Sequence, residues 1–454
     1  MTMNRCLSRI ALLIASLLYG AGVAADVTAF INVNVVPMAT ETVVPAQTVL
    51  VEDGIITTIG DVDIVRIPED ALAVDGTDRF LMPGLAEMHA HVPAADSQQL
   101  DRFFTLFVAN GVTSIRGMLG DPSHLNLRRD ILDGNVFGPR LTTSGPSLNG
   151  RSVSGAADAR RQVREQSAAG YDFIKVHPGL SAEEFTALAQ TASNVEIPFA
   201  GHVPVAAGLD LALRLGMATI DHLDGYFVAL LPPDSAGSGG YGGFFDVMLA
   251  AELDVEGIEA VAAATAAAGT WNVPTQTLIE HRLSGIGIDE LKSRPEMQYM
   301  PKETIERWAA ATAALRAESG FDSDIAQLAI AIRRSLILAL HRAGAPLLLG
   351  SDAPQVFNVP GFSVHHELDL LVAAGLTPFE ALATGTTAPA EFLGTNTGSV
   401  QDGRDADLVL LDANPLEDIS NSRRIHGVML RGEWLSSRDL EERLARFSDS
   451  TTRH

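Results

Sequence analysis

Cysteine is nearly absent from this chain of 454 residues, since Cys6 is the only one. A single cysteine excludes an intramolecular disulfide framework and a metal site built from cysteines. Basic residues are also scarce: 32 Lys and Arg stand against 56 Asp and Glu, which gives a net charge of −24. Because so acidic a chain repels phosphate backbones, we do not expect nucleic acid as a partner. Any metal ligands must therefore come from His, Asp, Glu or a less usual group.

Long apolar runs are absent as well, and one short run lies near the start of the chain. Arg5 and Arg9 precede an apolar stretch at 10–18, and small residues follow up to 23–25. This is the pattern of a secretory signal peptide, and the run is too short for a membrane anchor. We expect residues 1–25 to be cleaved, which leaves a mature chain of charge −26 without Arg5 and Arg9. The mature protein would be periplasmic or secreted and free of the membrane.

The middle of the chain, over residues 81–395, alternates short apolar segments with helical stretches. No Gly-rich phosphate fingerprint follows the first segment, which argues against an open doubly wound sheet. Eight alternations of strand and helix favour an α/β fold of the (β/α)₈ TIM-barrel type. The eight segments predicted as strands are 85–88, 112–116, 141–144, 173–176, 199–201, 219–221, 271–274 and 346–350.

Both ends of the mature chain have β character instead. Residues 26–80 contain short runs of β-branched residues around a turn signal at 52–54, and residues 396–454 return to the same texture. We predict that these two segments pair into one small composite β-sandwich domain beside the barrel. The Gly/Ser-rich segment 232–243 is either a plain loop or a mobile lid.

Histidines and acids follow several of the predicted strands. His89 and His91 end the first strand, and residues two apart in a strand face the same side. One His-x-His pair is a weak signal, because such a pair arises easily by chance. Residues at the ends of the later strands strengthen this signal for a metal site. Active sites of barrels lie at the carboxyl ends of their strands, and buried charged groups at such positions require partners. The further candidate ligands at such ends are Lys175, His202, His222 and Asp352.

Lys175 permits three interpretations. An ammonium group would repel a cation, so the lysine could simply form an ion pair. It could instead form a Schiff base, as lysines of barrel aldolases do. In the third interpretation the neutral amine takes up carbon dioxide and becomes a carboxylate that bridges two divalent metals. The histidines and the aspartate on the neighbouring strands favour this third interpretation.

These features together resemble the amidohydrolase superfamily, in its metal-dependent imidazolonepropionase-like or prolidase-like branch. The resemblance covers nearly the whole mature chain. Apart from the candidate ligands, it is carried by the sequence motifs at 83–85, 365–368, 377–378, 380–382, 387–390, 402–403, 406–408 and 414–416. Imidazolonepropionases themselves lack the bridging lysine, so Lys175 argues against that reaction.

The resemblance implies a site with two divalent metal ions, for which zinc is the expected identity. The implied ligands are His89, His91 and Asp352 for the more buried ion, His202 and His222 for the second ion, and N6-carboxylated Lys175 as the bridge. A hydroxide shared by the ions would attack the substrate carbonyl. Asp352 would accept its proton and pass it to the leaving nitrogen.

Other residues are candidates for supporting or substrate-binding roles. Glu87 shares the parity of His89 and is expected to support the barrel interior, whereas His177 is either a partner of the ligands or a packing residue. The sequence departs from the family after strand two, where it reads Arg-Gly, and after strand three, where it has no histidine. The candidate substrate-binding residues are Arg116, Asn149, Tyr226, His365 and His366.

The predicted function is therefore an exported hydrolase of small-molecule amides. Dipeptides and N-acyl amino acids lead the list of substrates, and aromatic N-acyl amino-acid amides such as ochratoxin belong to it. A deaminase or a lactonase on the same metal site is the alternative enzyme class, and a scaffold that has lost catalysis is the alternative without chemistry. A homo-oligomer is compatible with all three.

Overall fold

The computed structural model describes residues 27–233 and 243–448. The predicted signal peptide and nearly all of the segment 232–243 lie outside the described residues. The described strands are β1 Val27–Val35, β2 Val44–Glu52, β3 Ile55–Asp61, β4 Leu72–Asp75, β5 Phe80–Pro83, β6 Leu85–Ala90, β7 Val112–Gly117, β8 Arg140–Thr143, β9 Ile174–Val176, β10 Phe199–Gly201, β11 Thr219–Asp221, β12 Trp271–Val273, β13 Leu408–Leu411, β14 Ile425–Leu430 and β15 Glu433–Ser436.

Helices follow most of the central strands. They are α1 Leu100–Ala109, α2 His124–Leu132, α3 Ala156–Ala169, α4 Ala182–Asn194, α5 Gly208–Arg214, α6 Tyr226–Ala229, α7 Ile258–Ala268, α8 Gln276–Leu283, α9 Ile288–Lys292, α10 Lys302–Arg316, α11 Ser323–Ala343, α12 Phe362–Ala374, α13 Pro378–Thr384, α14 Thr387–Leu393 and α15 Ser437–Leu444. Short 3₁₀ helices lie at Phe244–Glu252, Val255–Gly257, Pro295–Tyr299 and Ile419–Arg423.

The two ends of the chain share one sheet of eight strands. Its order is β15-β14-β13-β5-β1-β2-β3, and β4 pairs with β1. The connection between the ends is antiparallel, with Leu81 of β5 opposite Leu410 of β13. The rings of Phe30 on β1 and Trp434 on β15 lie 5.2 Å apart, although three strands separate them in the hydrogen-bonded order. The sheet therefore curls back on itself around its own apolar core.

The central strands are parallel and fall into two sheets, β6-β7-β8 and β12-β11-β10-β9. A bridge between Ser144 and Phe173 lies where these sheets meet. The predicted eighth strand, 346–350, is not a regular strand, and within the described residues no closed barrel is formed by continuous pairing. Its backbone still bonds to both neighbours, because Leu348 N–H donates to the carbonyl of Asn272 and Met88 N–H donates to that of Leu349.

Helix α11 shows why these sequences form helices against the strands. The Asp322 side chain caps it by accepting hydrogen bonds from the first backbone N–H groups, and Gly344, in the left-handed region, ends it. Its buried face includes Leu336, Ile337 and Leu340 and packs in the main core. Across residues 27–233 and 243–448, no helix has both the length and the apolar character needed to cross a membrane.

Candidate metal centre

His89 and His91 lie at the carboxyl end of β6 and face the same side. Their rings are 5.7 Å apart; His89 is fully buried and His91 is partly exposed. The carboxylate of Glu87 accepts hydrogen bonds from the N–H groups of His89, at 2.8 Å, and Ser351, at 2.9 Å. Burial raises the pKa of Glu87 to about 8. Glu87 therefore ties the backbone that carries the histidines to the backbone that carries Asp352.

Asp352 faces these histidines from the opposite side of the site. Its Oδ1 lies 3.1 Å from Nε2 of His91 and 3.6 Å from Nε2 of His89, and its Oδ2 lies 3.9 Å from Nδ1 of His222. Its φ of 62° places it in the left-handed region, as does the φ of 63° at His222. Residues other than glycine adopt this conformation at a cost that the surrounding structure must offset.

His202 and His222 follow β10 and β11, and their rings are 4.6 Å apart. Nδ1 of His202 lies 2.6 Å from a carboxylate oxygen of Asp224, and Nδ1 of His222 lies 2.8 Å from the hydroxyl of Thr275. A partner at one ring nitrogen fixes the ring and leaves the other nitrogen for a metal ion. Asp224 and Thr275 were not predicted from the sequence, although both follow strand ends.

Lys175 lies in β9, fully buried between these groups. Its Nζ is 3.5 Å from Oδ2 of Asp221, and burial lowers its pKa below the ordinary value of 10.5. A Cβ atom on Gly201 would lie only 2.9 Å from this Nζ, so glycine keeps the space beside the amine open. A lowered pKa favours the neutral amine, which is the form that can react with carbon dioxide.

Asp221 is a second buried acid that the sequence analysis left without a role. Its carboxylate lies 3.1 Å from Nδ1 of His89 and 3.4 Å from the guanidinium of Arg116. Burial alone would raise its pKa, but Lys175 and Arg116 hold that pKa below 3.8. The only signal in the sequence was its position directly before His222.

The donor set fits a divalent cation. Ligand atoms of His89, His222 and Asp352 lie within 4.8 Å of one another. Both ring nitrogens of His89 and Oδ1 of Asp352 are buried without a hydrogen bond, which is rare for buried polar atoms. Burial holds the pKa values of His89 and His222 well below 6.5, so their imidazoles are neutral and can donate an electron pair.

His177 lies beside this group. Its ring is 4.9 Å from that of His202, and its buried Nδ1 makes no hydrogen bond. Burial lowers its pKa to about 2, so it is neutral as well. Its position is therefore that of a neighbour of the ligands.

Two of the residues predicted to bind substrate, Tyr226 and Arg116, have their side chains in the protein interior. Tyr226 is completely buried, and its hydroxyl donates to Oδ1 of Asn272 at 2.8 Å. Arg116 is buried too, and its Nε donates to the carbonyl of Met88 at 2.7 Å. Both side chains are held by groups of the protein interior, and a role of either in binding substrate stays a prediction.

The other three predicted substrate residues are also held by local contacts. The ring of His365 lies between the hydroxyl of Ser422, at 2.9 Å, and the carbonyl of Asn110, at 3.1 Å, so α12 is anchored through it. Asn149 accepts a hydrogen bond from a backbone N–H two residues later, inside its own turn. His366 packs 5.5 Å from the ring of His281.

Phe245 is a neighbour of the ligands that the sequence analysis did not single out. Its ring is parallel to that of His202, at 6.1 Å and 10°, and lies 4.9 Å from that of His222. Nothing in the sequence marks it, because it follows a Gly/Ser-rich segment far from any predicted strand end.

The chain is similar in sequence and in fold to several known proteins. Ochratoxinase from Aspergillus niger is 24% identical over 408 residues, which cover 75% of this chain and 71% of that protein. The structure of bottromycin amidohydrolase superposes with a TM-score of 0.71 at 24% identity, over 92% of this chain and 90% of the other. A prolidase complexed with N-methylphosphonate-L-proline gives a TM-score of 0.62 at 21% identity, over 90% and 99% of the two chains.

These structures share the amidohydrolase fold, which implies a (β/α)₈ barrel with a β-sandwich domain. The family model described as "Amidohydrolase family" matches residues 80–435, which is most of the chain and includes every candidate ligand. Members of this family are hydrolases, typically with bound metal ions. The chain therefore belongs to the amidohydrolase family.

Proposed function

We propose that this protein is a metal-dependent hydrolase with two metal ions that cleaves an amide bond in a small molecule, such as a dipeptide, an N-acyl amino acid or an aromatic amide. One observation carries the proposal. Four histidines, an aspartate and a buried lysine, from separate strand ends, converge on one region whose buried donor atoms include several without hydrogen bonds. The name of the ochratoxinase relative supports an amide as the substrate.

Two subsets of these side chains suit two ions. His89, His91 and Asp352 would hold one ion, and His202 and His222 would hold the other. Lys175, once carboxylated, would add a carboxylate to the groups that hold the ions. Neutral imidazoles and carboxylate oxygens are ligands that zinc accepts, which supports zinc as the metal.

The chemistry is then divided between the ions and the chain. Bound divalent ions lower the pKa of water towards neutrality and polarise a carbonyl oxygen. Asp352 accepts the proton of the attacking water and delivers it to the leaving nitrogen, so that one carboxyl group serves as base and then as acid. Asp224 and Thr275 keep the rings of His202 and His222 in fixed orientations during this cycle.

Turnover of defined amides tests the proposal. Protein without residues 1–25, supplied with zinc and bicarbonate, is incubated with a panel of dipeptides and N-acyl amino acids. We expect release of free amino acids, and a metal content of two ions per chain by elemental analysis. Release of ammonia in place of an amino acid would indicate a deaminase. A protein that binds no metal and cleaves no amide would contradict the proposal.

We also propose that the protein is exported. The arginines at 5 and 9, the apolar run at 10–18 and the small residues at 23–25 support this. In cells that produce the full chain, the mature protein should be recovered outside the cytoplasm with Asp26 at its N-terminus, as determined by N-terminal sequencing. A cytoplasmic protein that retains residues 1–25 would contradict it.

A further inference from the structure

A cavity of about 370 Å³ lies directly beside the candidate metal centre. His202, one of the candidate metal ligands, belongs to its lining, so the cavity adjoins the candidate metal centre. Most of the other lining side chains are apolar. We refer to it as the Phe245 cavity, and its lining residues include Val203, Val205, Val228, Phe244, Phe245 and Asp246.

The backbone holds Phe245 at this position in a strained conformation. Its φ and ψ are 53° and 41°, and those of Asp246 are 58° and 13°, so two consecutive residues other than glycine are in the left-handed region. Such strain concentrates at functional sites, since elsewhere a chain relaxes it. This turn places the ring of Phe245 beside the imidazoles of His202 and His222, with ring centres 6.1 and 4.9 Å apart. Phe244 packs edge-on against Phe245, with the ring centres 4.5 Å apart.

Exposed apolar side chains continue the wall towards solvent. Val205 is 82% exposed and Val228 is 38% exposed, and both line the Phe245 cavity. Neither valine is needed for the hydrophobic core at that exposure. The lining of the cavity is therefore apolar at its solvent-exposed side chains as well.

The charged groups of the cavity are of one sign. Asp224 and Asp246 both line it, and Asp224 also holds the ring of His202. No Lys or Arg belongs to the described lining. Among the described lining side chains, a carboxylate of a ligand would therefore meet only like charge, and an uncharged group would not be repelled.

We propose that the Phe245 cavity binds an uncharged apolar substituent, aliphatic or aromatic, that adjoins the scissile amide of the substrate. This inference rests on the proposed amide hydrolysis and names the class of amide: one with a bulky apolar group beside the reacting carbonyl or nitrogen. Phe245 is then a residue that determines specificity, because its ring forms the floor between this substituent and the imidazoles.

Kinetics with two substrate series provide the first test. One series varies the side chain of N-acetyl amino acids (glycine, leucine, phenylalanine, glutamate), and the other varies the acyl group on glycine (acetyl, hexanoyl, phenylacetyl). In at least one series we expect kcat/KM for the bulky apolar member to exceed that of the smallest by about 10-fold or more, which is the usual discrimination of an apolar pocket. The glutamate derivative should be the poorest member of its series.

Two variants connect this preference to the cavity. Phe245→Ala should reduce the preference to less than about threefold, because an aromatic contact contributes on the order of tenfold in affinity. Val228→Asp, at a partly exposed site that tolerates a polar side chain, should reduce it as well. Phe137→Ala is the matched control, because Phe137 is partly buried against Arg443 and lies outside the cavity. An unchanged preference in Phe245→Ala and Val228→Asp would overturn the proposal.

Binding measurements separate a failure of this inference from a failure of the proposed function. The probes are N-benzylacetamide and N-methylacetamide, titrated calorimetrically into the wild-type protein and Val228→Asp. The benzyl compound should bind at least about fivefold more tightly than the methyl compound to the wild type alone. If no amide is cleaved by any preparation, the proposed function fails. This titration still shows whether the Phe245 cavity binds an apolar substituent. Equal affinities of the two probes for the wild type would overturn the inference.

Discussion

Asp352 combines two tasks in a single residue, since it contacts the histidines of β6 and is the proposed proton carrier. Replacing it with Asn keeps the shape of the side chain and removes the base. Asn tolerates the left-handed conformation as well as Asp does, so the φ of 62° at this position is not a reason for misfolding. The substitution therefore separates chemistry from folding.

We predict that Asp352→Asn reduces kcat by about 100-fold or more, the usual contribution of general acid–base catalysis, with an unchanged circular dichroism spectrum. The measurement is the initial rate of hydrolysis of an N-acyl amino acid by the zinc-loaded protein. A kcat near that of the wild type would show that another group carries the proton.

A substitution at Lys175 tests in the same way whether the carboxylated form of this lysine holds the metal ions. Lys175→Ala removes a proposed ligand, and we predict that it weakens metal binding by at least the roughly 10–100-fold that loss of an outer partner costs. Short carboxylic acids such as acetate should restore part of the activity, since they fit the space that the side chain leaves. Lys292→Ala, at an exposed ion pair with Glu306, is the control and should behave as the wild type. A lysine trapped by borohydride together with substrate would indicate a Schiff base instead.

At the scale of elements, helix α11 contacts the ends of β11 and β12 and supports the candidate site there. Arg333 is buried, and its guanidinium donates to the carbonyls of His222, at 2.7 Å, and Pro274, at 2.8 Å. Its Nε donates to Oε1 of Gln276 at 2.9 Å. One side chain therefore holds the strained backbone at His222 and the start of α8 together.

We predict that Arg333→Lys lowers the free energy of unfolding by about 2 kcal/mol, because an ammonium group cannot reach all three acceptors. Zinc affinity should fall as well, since the backbone of His222 loses its support. Thermal melting and a zinc titration measure the two effects. Arg342→Lys, on the exposed side of the last turn of α11, is the control. Unchanged zinc affinity in Arg333→Lys would contradict the positioning role.

A second contact between elements joins α11 to α13, and we expect its contribution to stability to depend on pH. His341 of α11 lies 3.0 Å from the carboxylate of Glu380 at the start of α13. The backbone N–H of Thr377 and, with it, His341 hold the pKa of Glu380 below 4.5. A carboxyl group with a depressed pKa stabilises the fold above its unfolded-state pKa and loses this contribution as the pH falls through the folded-state value.

We therefore predict that acidification below pH 4.5 reduces the stability of the wild type more than that of Glu380→Gln. Urea denaturation at neutral pH and in this acid range, followed by fluorescence, gives the comparison. Identical acid dependence of the two proteins would show that Glu380 makes no such contribution.

The sequence predicted the residues that meet at strand ends, and it did so for a physical reason. Parallel strands end at one edge, so His89, His202 and His222 could be placed near one another without any structure. Asp224 and Arg333 could not be assigned, because their partners are chosen by the packing of loops and helices. The contacts of Tyr226 could not be predicted either, because a position four residues after His222 does not reveal which way a short helix turns its side chains.

At the scale of the whole molecule, the eight-stranded sheet depends on both ends of the chain. Hydrogen bonds between β5 and β13 hold the two halves of the sheet together. Without β13 to β15, the apolar side chains of Leu81 and Phe30 would lose partners in the core of that sheet. The N-terminal strands of this sheet therefore cannot complete their own packing.

We predict that a shortened chain of residues 27–403 is insoluble or lacks a cooperative thermal transition, whereas a chain of residues 27–448 melts like the full mature protein. Calorimetry and the soluble fraction after expression are the measurements. A cooperative transition in the shorter chain, near that of the longer one, would show that the N-terminal strands fold without β13.

The pairing of Leu81 with Leu410 also has a consequence for the time at which this protein can fold. A ribosome makes β5 early, and it makes β13 only after all the strands and helices that lie between them in the sequence. Until then β5 lacks the strand that covers its edge, and unpaired edges of this kind invite association with other chains. Contacts between residues so far apart in sequence form slowly. The sheet therefore cannot be completed before β13 has been made, a delay that suits a chain proposed to cross a membrane before it folds.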